Sequence, residues 1–210
     1  MNKKKTIVMS TLLLAIVLLG IGTIAYFRRT VNGNITGETG NLVLIVNESA
    51  TELIGSGLKP FGNDSLSMID FQEIVLKYQL NKEKLVEETA NKYYSDKEIV
   101  IIYDRGICDY KAYIGEYEYY KLLDKYNLNE NNILNNFDLV IHLETAAKNK
   151  DYTLENNNAR SESKSEAIEL DNKIFDAWKI HKNIFKIKAS DDFLIKQNDI
   201  IKVIKEFFNK

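Results

Sequence analysis

The stretch IVIIYDRGICDYKAYIG, residues 99–115, decides the fold that we expect for this chain. Five consecutive apolar residues are followed by a charged pair and a glycine, and then by a segment of helical character. A continuous apolar run of this length is typical of a strand that is covered on both faces of a parallel sheet. The stretch therefore predicts a buried strand that ends at a polar edge and leads into a helix.

Three other apolar runs have the same character, namely Leu42–Val46, Leu139–Leu143 and Ile184–Lys188. Between the runs, apolar residues recur at the helical period. This pattern predicts helices over Asp70–Tyr94, Gly106–Tyr126, Ser163–Lys179 and Asp191–Phe208. Ser163 and Glu166 have the spacing of a capping box at the start of one of them. Strands that alternate with helices indicate an α/β fold, with a parallel sheet flanked by helices.

The composition limits the classes of function. The chain has 210 residues, of which 45% are hydrophobic and 28% are charged, and its formal net charge is −2. This content supports one folded domain with an appendage, and it excludes global disorder. A charge near zero gives no general attraction to nucleic acid, so we expect no nucleic-acid partner. Cys108 is the one cysteine of the sequence, which excludes an intramolecular disulfide and a four-cysteine zinc site.

The N-terminal segment Thr6–Phe27 carries no charge; three lysines precede it and two arginines follow it. Its 22 residues exceed the roughly 20 that a helix needs to cross a bilayer. We predict a single-pass membrane anchor over residues 1–30 and an α/β domain over residues 31–210. A cleaved secretory signal and a buried first helix are the two alternatives, because both are compatible with the same apolar run.

Acidic residues follow two of the predicted strands. Glu48 comes after the first run, and Asp104 and Arg105 come after the second. In a parallel sheet, ligands bind beyond the carboxyl ends of the strands. An aspartate at such a position can hold Mg²⁺ near phosphates, and an arginine beside it can donate to phosphate oxygens. The alternative is structural: Asp104 pairs with Arg105, or caps the following helix.

Two further segments carry candidate ligand-binding residues. The polar loop Asp151–Lys164 contains Arg160 and is either a lid that closes over phosphates or a surface loop. Gln72, early in a predicted helix, is either an amide that binds a base edge or an ordinary helix residue. We interpret Cys108, His142 and His181 as structural, since none of them has a spacing typical of a metal site.

Three stretches together resemble a known family: Ser56–Gln72, Ile101–Gly115 and Leu154–Trp178. They are similar to the AAA-type P-loop domains of the NadR group, which share their architecture with deoxynucleoside and nicotinamide riboside kinases. The resemblance extends over residues 42–208. It implies a P-loop NTPase-like fold that binds ATP or GTP with Mg²⁺, together with a small-molecule acceptor. A cytosolic nucleotide supply would place the α/β domain in the cytoplasm, although the flanking charges lean weakly the other way.

The resemblance also implies roles for single residues. Glu48 matches the base that acts on the acceptor hydroxyl, and Asp104 with Arg105 matches the pair near Mg²⁺ and the transferred phosphoryl group. Gln72 matches a glutamine on the substrate side. Arg160 falls where kinases of this shape place a lid arginine. Asp109 completes the D-R-G-x-x-D string and is expected to bind the nucleotide or the substrate.

The phosphate-binding motif of the family, G-x-x-x-x-G-K-[ST], does not occur in the sequence. Residues 35–40 resemble its opening, so Gly37 and Gly40 are candidate phosphate contacts, but the lysine, the hydroxyl and the first helix do not follow. The strand before this motif lies centrally in the family's sheet. We expect either Val31–Ile35 or Lys5–Ser10 to fill that position; the second would make the apolar run a buried helix.

Three hypotheses follow from the sequence. The first is a membrane-tethered, kinase-like pseudoenzyme that binds nucleotide and has reduced or no phosphotransfer activity. The second is an active nucleoside or nicotinamide riboside kinase whose N-terminus is truncated or misread. The third is a membrane-tethered interaction domain with no nucleotide role.

Overall fold

The computed structural model describes residues 25–30, 41–95, 98–148 and 163–208. The strands in these ranges are β1 (Ala25–Thr30), β2 (Asn41–Val46), β3 (Glu98–Asp104), β4 (Leu139–Leu143) and β5 (Ile184–Ile187). The helices are α1 (Ser49–Gly55), α2 (Met68–Tyr93), α3 (Tyr110–Lys125), α4 (Glu130–Asn135), α5 (Lys164–Trp178) and α6 (Phe193–Phe208). Two 3₁₀ turns, Ile107–Asp109 and Ala146–Lys148, follow β3 and β4.

The strands form one sheet in the order β2-β3-β1-β4-β5. The pairs β2–β3 and β4–β5 are parallel, as the continuous apolar runs predict. The central strand β1 is antiparallel to both of its neighbours, so the expectation of a wholly parallel sheet is wrong. A strand between β3 and β4 can form backbone hydrogen bonds with both of them in either direction. An antiparallel β1 therefore still pairs the N–H and C=O groups of β3 and β4 that face it.

The segment that fills the central position differs from both expected segments. It is Ala25–Thr30, rather than Val31–Ile35 or Lys5–Ser10. Ala25 pairs with Asp104, and Thr30 pairs with Ile99. The chain therefore enters the sheet at the carboxyl end of β3 and leaves it at the amino end.

The N-terminal apolar run lies mostly outside the described residues. Its last three residues, Ala25–Phe27, are extended within β1 rather than helical. Among the helices that the structure describes, none is both long enough and apolar enough to cross a membrane.

The other elements agree with the sequence pattern to within a few residues. Two short helices, α1 and α4, were not expected, because seven and six residues are too few to display a helical period. The sheet separates two apolar layers. One face packs against α2, α3 and α5 around Tyr103, Tyr119 and Trp178. The other packs against α6 through Ile200 and Ile204.

The capping box predicted at Ser163 is confirmed. The Ser163 backbone N–H donates to Glu166 Oε2 at 2.7 Å, and the Ser163 side chain accepts from the Glu166 N–H at 3.4 Å. We expect Ser163→Ala to lower the free energy of unfolding by about 1 kcal/mol, because the Glu166 N–H in the first turn of α5 loses its acceptor. Urea denaturation checks this value. Ser65→Ala, in the exposed loop before α2, is the control and should change nothing measurable.

Candidate functional site

A cluster of charged residues lies at the carboxyl ends of β2 and β3. Glu48 immediately precedes α1, and Asp104 is the last residue of β3. Arg105 follows with a φ of +76°, in the left-handed region that residues other than glycine seldom adopt. Such backbone strain persists only where the surroundings enforce it, and it is frequent at functional sites. The turn at Arg105 connects β3 to the 3₁₀ turn that carries Asp109.

The structure brings Glu48 and Asp109, two of the predicted site residues, together around the guanidinium group of a third, Arg105. Arg105 Nε lies 3.4 Å from Glu48 Oε1, and Arg105 Nη1 lies 3.9 Å from Asp109 Oδ2. Thr51 Oγ1 donates to Glu48 Oε2 at 2.7 Å, which fixes that carboxylate from α1. Burial opposes the charge of Arg105, but Tyr113 and the neighbouring carboxylates raise its pKa. Arg105 is therefore a permanent cation between two acids.

Asp109 anchors the cluster to the helical layer. Its side chain is 2% exposed, and Asp109 Oδ1 accepts a hydrogen bond from Trp178 Nε1 at 2.5 Å. Asp109 Oδ2 accepts from the Gly106 N–H at 3.5 Å. Trp178 is itself fully buried in the core. These contacts give Asp109 a positioning role, because they link the turn after β3 to the end of α5.

Asp104 is a buried carboxyl with a raised pKa. Its Oδ1 atom is buried and has no hydrogen-bond partner among the described residues. Burial raises the pKa of Asp104 to about 7; Arg105 works against this rise, and Glu48 adds to it. A buried carboxyl oxygen without a partner, beside a second carboxylate, is a suitable position for a cation. The residues present therefore fit Mg²⁺, which commonly takes one or two protein carboxylates and phosphate oxygens.

Lys82 is a cation near the site that the sequence pattern did not indicate. Its Nζ donates to the Asn47 carbonyl at 2.6 Å and to Glu52 Oε2 at 2.5 Å, so it ties α2 to the end of β2. It also acts to lower the pKa of Asp104. Lysines are frequent on the solvent side of long helices, and nothing in the spacing distinguishes this one from its neighbours. Only the docking of α2 brings it here.

The other predicted site residues lie elsewhere. Gln72 is buried on α2; its amide donates to Met68 Sδ at 3.7 Å and makes no hydrogen bond with the described residues of the cluster. Gly37, Gly40 and Arg160 lie outside the described residues. The described residues on either side of the two glycines, Thr30 and Asn41, pair with the amino end of β3 rather than with the Asp104 end.

The residues interpreted as structural have structural contacts. Cys108 is buried, and burial raises the pKa of its thiol to about 12. His181 Nε2 lies 2.9 Å from the Phe137 carbonyl oxygen, and His142 Nε2 lies 3.2 Å from Asp171 Oδ1. Within the described ranges, no group of three or more His, Cys, Asp or Glu side chains could hold a metal ion by itself. A metal at Asp104 would need ligand oxygens from a bound molecule.

Comparison with known proteins gives one family. No curated protein and no solved structure has a significant match to this chain. The family model described as an AAA domain matches residues 36–193, which is more than half of the chain. The matched range contains Glu48, Asp104 and Arg105. The chain therefore belongs to the AAA domain family, whose members are P-loop NTPase-like nucleotide-binding domains.

Proposed function

We propose that this chain binds ATP or GTP with Mg²⁺ at the Glu48–Asp104–Arg105 cluster, and that it has lost efficient phosphoryl transfer. One observation carries the proposal: the buried Oδ1 atom of Asp104, which has no hydrogen-bond partner among the described residues, lies beside Arg105 at the carboxyl ends of the strands, where α/β folds bind ligands. Family membership supports the nucleotide as the ligand.

Each residue of the cluster has a distinct part in the proposed complex. Asp104 would hold Mg²⁺, with Glu48 as a second carboxylate of the same cluster. The ion would neutralise part of the phosphate charge. Arg105 would donate to a phosphate oxygen through its guanidinium group, which forms ion pairs with Glu48 and Asp109 at 3.4 Å and 3.9 Å. If transfer survives, Glu48 is the group positioned to accept the proton of an acceptor hydroxyl.

Two features support the loss of transfer. The sequence lacks the lysine and the amide-rich loop that hold the β- and γ-phosphates. In addition, β1 leaves the sheet at Thr30, beside Ile99, so the residues that follow it start from the edge opposite to Asp104. Phosphoryl transfer depends on positioning and on charge stabilisation. Loss of even one such donor commonly costs about 3 kcal/mol in the transition state, which is roughly a hundredfold in rate.

Thermal denaturation of the full chain with nucleotide tests the binding. With a Kd near 100 μM, 1 mM MgATP or MgGTP would stabilise the protein by about 1.4 kcal/mol and raise the midpoint by about 4 °C. Asp104→Asn should remove this ligand-induced shift, because the metal loses its carboxylate. Asp176→Asn is the matched control, since Asp176 is exposed and pairs with Lys179. A shift that persists in Asp104→Asn would refute the site, and no shift in the wild type would favour the interaction-domain hypothesis.

A phosphotransfer assay separates binding from catalysis. We expect no transfer from MgATP or MgGTP to nucleosides or to nicotinamide riboside above the background given by Glu48→Gln. Turnover by the wild type that Glu48→Gln abolishes would instead establish the active-kinase alternative, with Glu48 as its base.

A further inference from the structure

One half of an apolar sheet face has no described helix over it. The side chains of Val43, Ile45, Val100 and Ile102 belong to the same apolar cluster as α6, on the face opposite to α2 and α3. We call these four residues the β2–β3 face. Residues two apart on a strand point to the same side, so adjacent strands present one continuous apolar surface here.

Helix α6 covers the other half of this face. It is the one described helix that contributes to the cluster, through Ile200 and Ile204, and its main contacts are with β5. In the sheet order, β5 and β2 are the outermost strands, on opposite sides of the sheet. A single helix is about 10 Å wide with its side chains, whereas five strands at about 4.8 Å spacing extend over roughly 20 Å. One helix at the β5 side therefore cannot cover β2 and β3 as well.

The β2–β3 face is nevertheless shielded from water. Val100 is 1% exposed and Ile102 is 0% exposed, while Val43 and Ile45 at the edge are half-buried. Side chains at the centre of a sheet reach such values only when another layer packs on them. The covering layer must be apolar, because Val, Ile and Leu side chains offer no hydrogen bonds to a polar one.

We propose that the N-terminal apolar segment, residues 6–24, is this layer and packs on the β2–β3 face of the same chain. It contains 19 residues, none of them charged. As a helix it would be about 28 Å long, enough to cross strands of six or seven residues, which are about 20–23 Å long. Its end is fixed by Ala25, which pairs with Asp104 and Ile141 at the centre of the sheet, next to the half that needs a cover.

The position of Ala25 also argues against a membrane anchor formed by residues 6–24. The strand begins within the predicted span, so no linker separates the uncharged run from the sheet. An anchor would press the Asp104 edge against the lipid headgroups and leave the β2–β3 face in water. Burying the apolar run and the apolar face against each other removes both from solvent at once. The membrane anchor is the competing outcome of the experiment.

Aspartate scanning of four consecutive residues in the full chain tests the proposal. Leu12→Asp, Leu13→Asp, Leu14→Asp and Ala15→Asp point about 100° apart and sample every side of a helix. A packed helix predicts a directional response: one or two of the variants lower the thermal midpoint by about 10 °C or more, because a carboxylate is buried. Leu85→Asp, at an exposed leucine of α2, is the control and should shift the midpoint little.

Extraction of the wild-type chain provides a second measurement that does not depend on variants that fold. Cell membranes are washed with alkaline carbonate, and the chain is expected in the supernatant. Retention in the washed membranes would overturn the proposal and establish the anchor. A midpoint that none of the four aspartates changes would overturn it as well.

Discussion

Replacing Asp104 by asparagine is expected to raise the free energy of unfolding at pH 8 by about 3 kcal/mol. Burial raises the pKa of Asp104 from its ordinary value of 3.8 to about 7, so the folded protein at pH 8 holds a carboxylate that is much more stable in the unfolded chain. A rise of about three in pKa corresponds to roughly 4 kcal/mol, which residual solvent access reduces. Asparagine has nearly the same shape and no charge.

The stabilisation by Asp104→Asn depends on pH in a defined direction. Below about pH 4, Asp104 is protonated in both the folded and the unfolded states, so wild type and variant have similar stability. Between about pH 4 and pH 7 the folded state binds more protons than the unfolded state, and wild-type stability falls as the pH rises. Above pH 7 the difference is constant. The difference in the free energy of unfolding between Asp104→Asn and the wild type should therefore increase from about pH 4 to pH 7 and stay constant above pH 7.

Urea denaturation at pH 4, 6 and 8 measures this dependence, with Asp176→Asn as the matched control. The same variant is expected to lose the nucleotide-induced shift, so stability and binding should change in opposite directions. That combination is typical of a ligand-binding carboxylate, because a structural one stabilises the fold. If Asp104→Asn is less stable than the wild type at pH 8, Asp104 has a structural partner and the site is assigned wrongly.

Replacing Arg105 by leucine is expected to have the opposite effect, a loss of about 3–5 kcal/mol at pH 8. Arg105 lies between Glu48 and Asp109, at 3.4 Å and 3.9 Å, and it opposes the rise in the pKa of Asp104. Without the guanidinium group, three carboxylates at one edge of the sheet lose their shared cation. Removing one partner of a buried charge network is costly, because the charges left behind are not compensated.

Denaturation of Arg105→Leu at pH 5 and pH 8 checks both the size and the cause of the loss. The loss should be smaller at pH 5, where Asp104 is protonated and one charge fewer needs compensation. Lys121→Leu provides the control, since Lys121 forms an exposed pair with Glu118 that should contribute less than about 1 kcal/mol. A loss that is equal at both pH values would mean that Arg105 acts through packing instead of charge.

Much of the fold could be predicted from local sequence. The continuous apolar runs gave β2 to β5 because a strand covered on both faces has apolar residues at every position. The spacing of Ser163 and Glu166 gave the start of α5, because a capping box involves only three or four neighbouring residues. The placement of Glu48 and Arg105 at one edge followed from a general property of parallel strands, whose carboxyl ends meet there.

Other features depend on contacts that no local pattern encodes. The sequence of β1 predicts the end of an apolar helix, because Ala25, Tyr26 and Phe27 continue an uncharged run. They form a strand because β3 and β4 would otherwise have unpaired backbone groups on the sides that face each other. Lys82 likewise reaches the end of β2 only because α2 docks there.

The sequence alone determined which segments are buried strands, where the sheet has its polar edge, and which charged residues lie on that edge, since each depends on a few neighbouring residues. Only the tertiary structure decided the direction of the central strand, the burial of the Asp104 carboxyl, and the binding of Arg105 between two acids. Those features depend on distances between residues far apart in the chain, and an ionisable group takes its pKa from all of the charges and solvent around it.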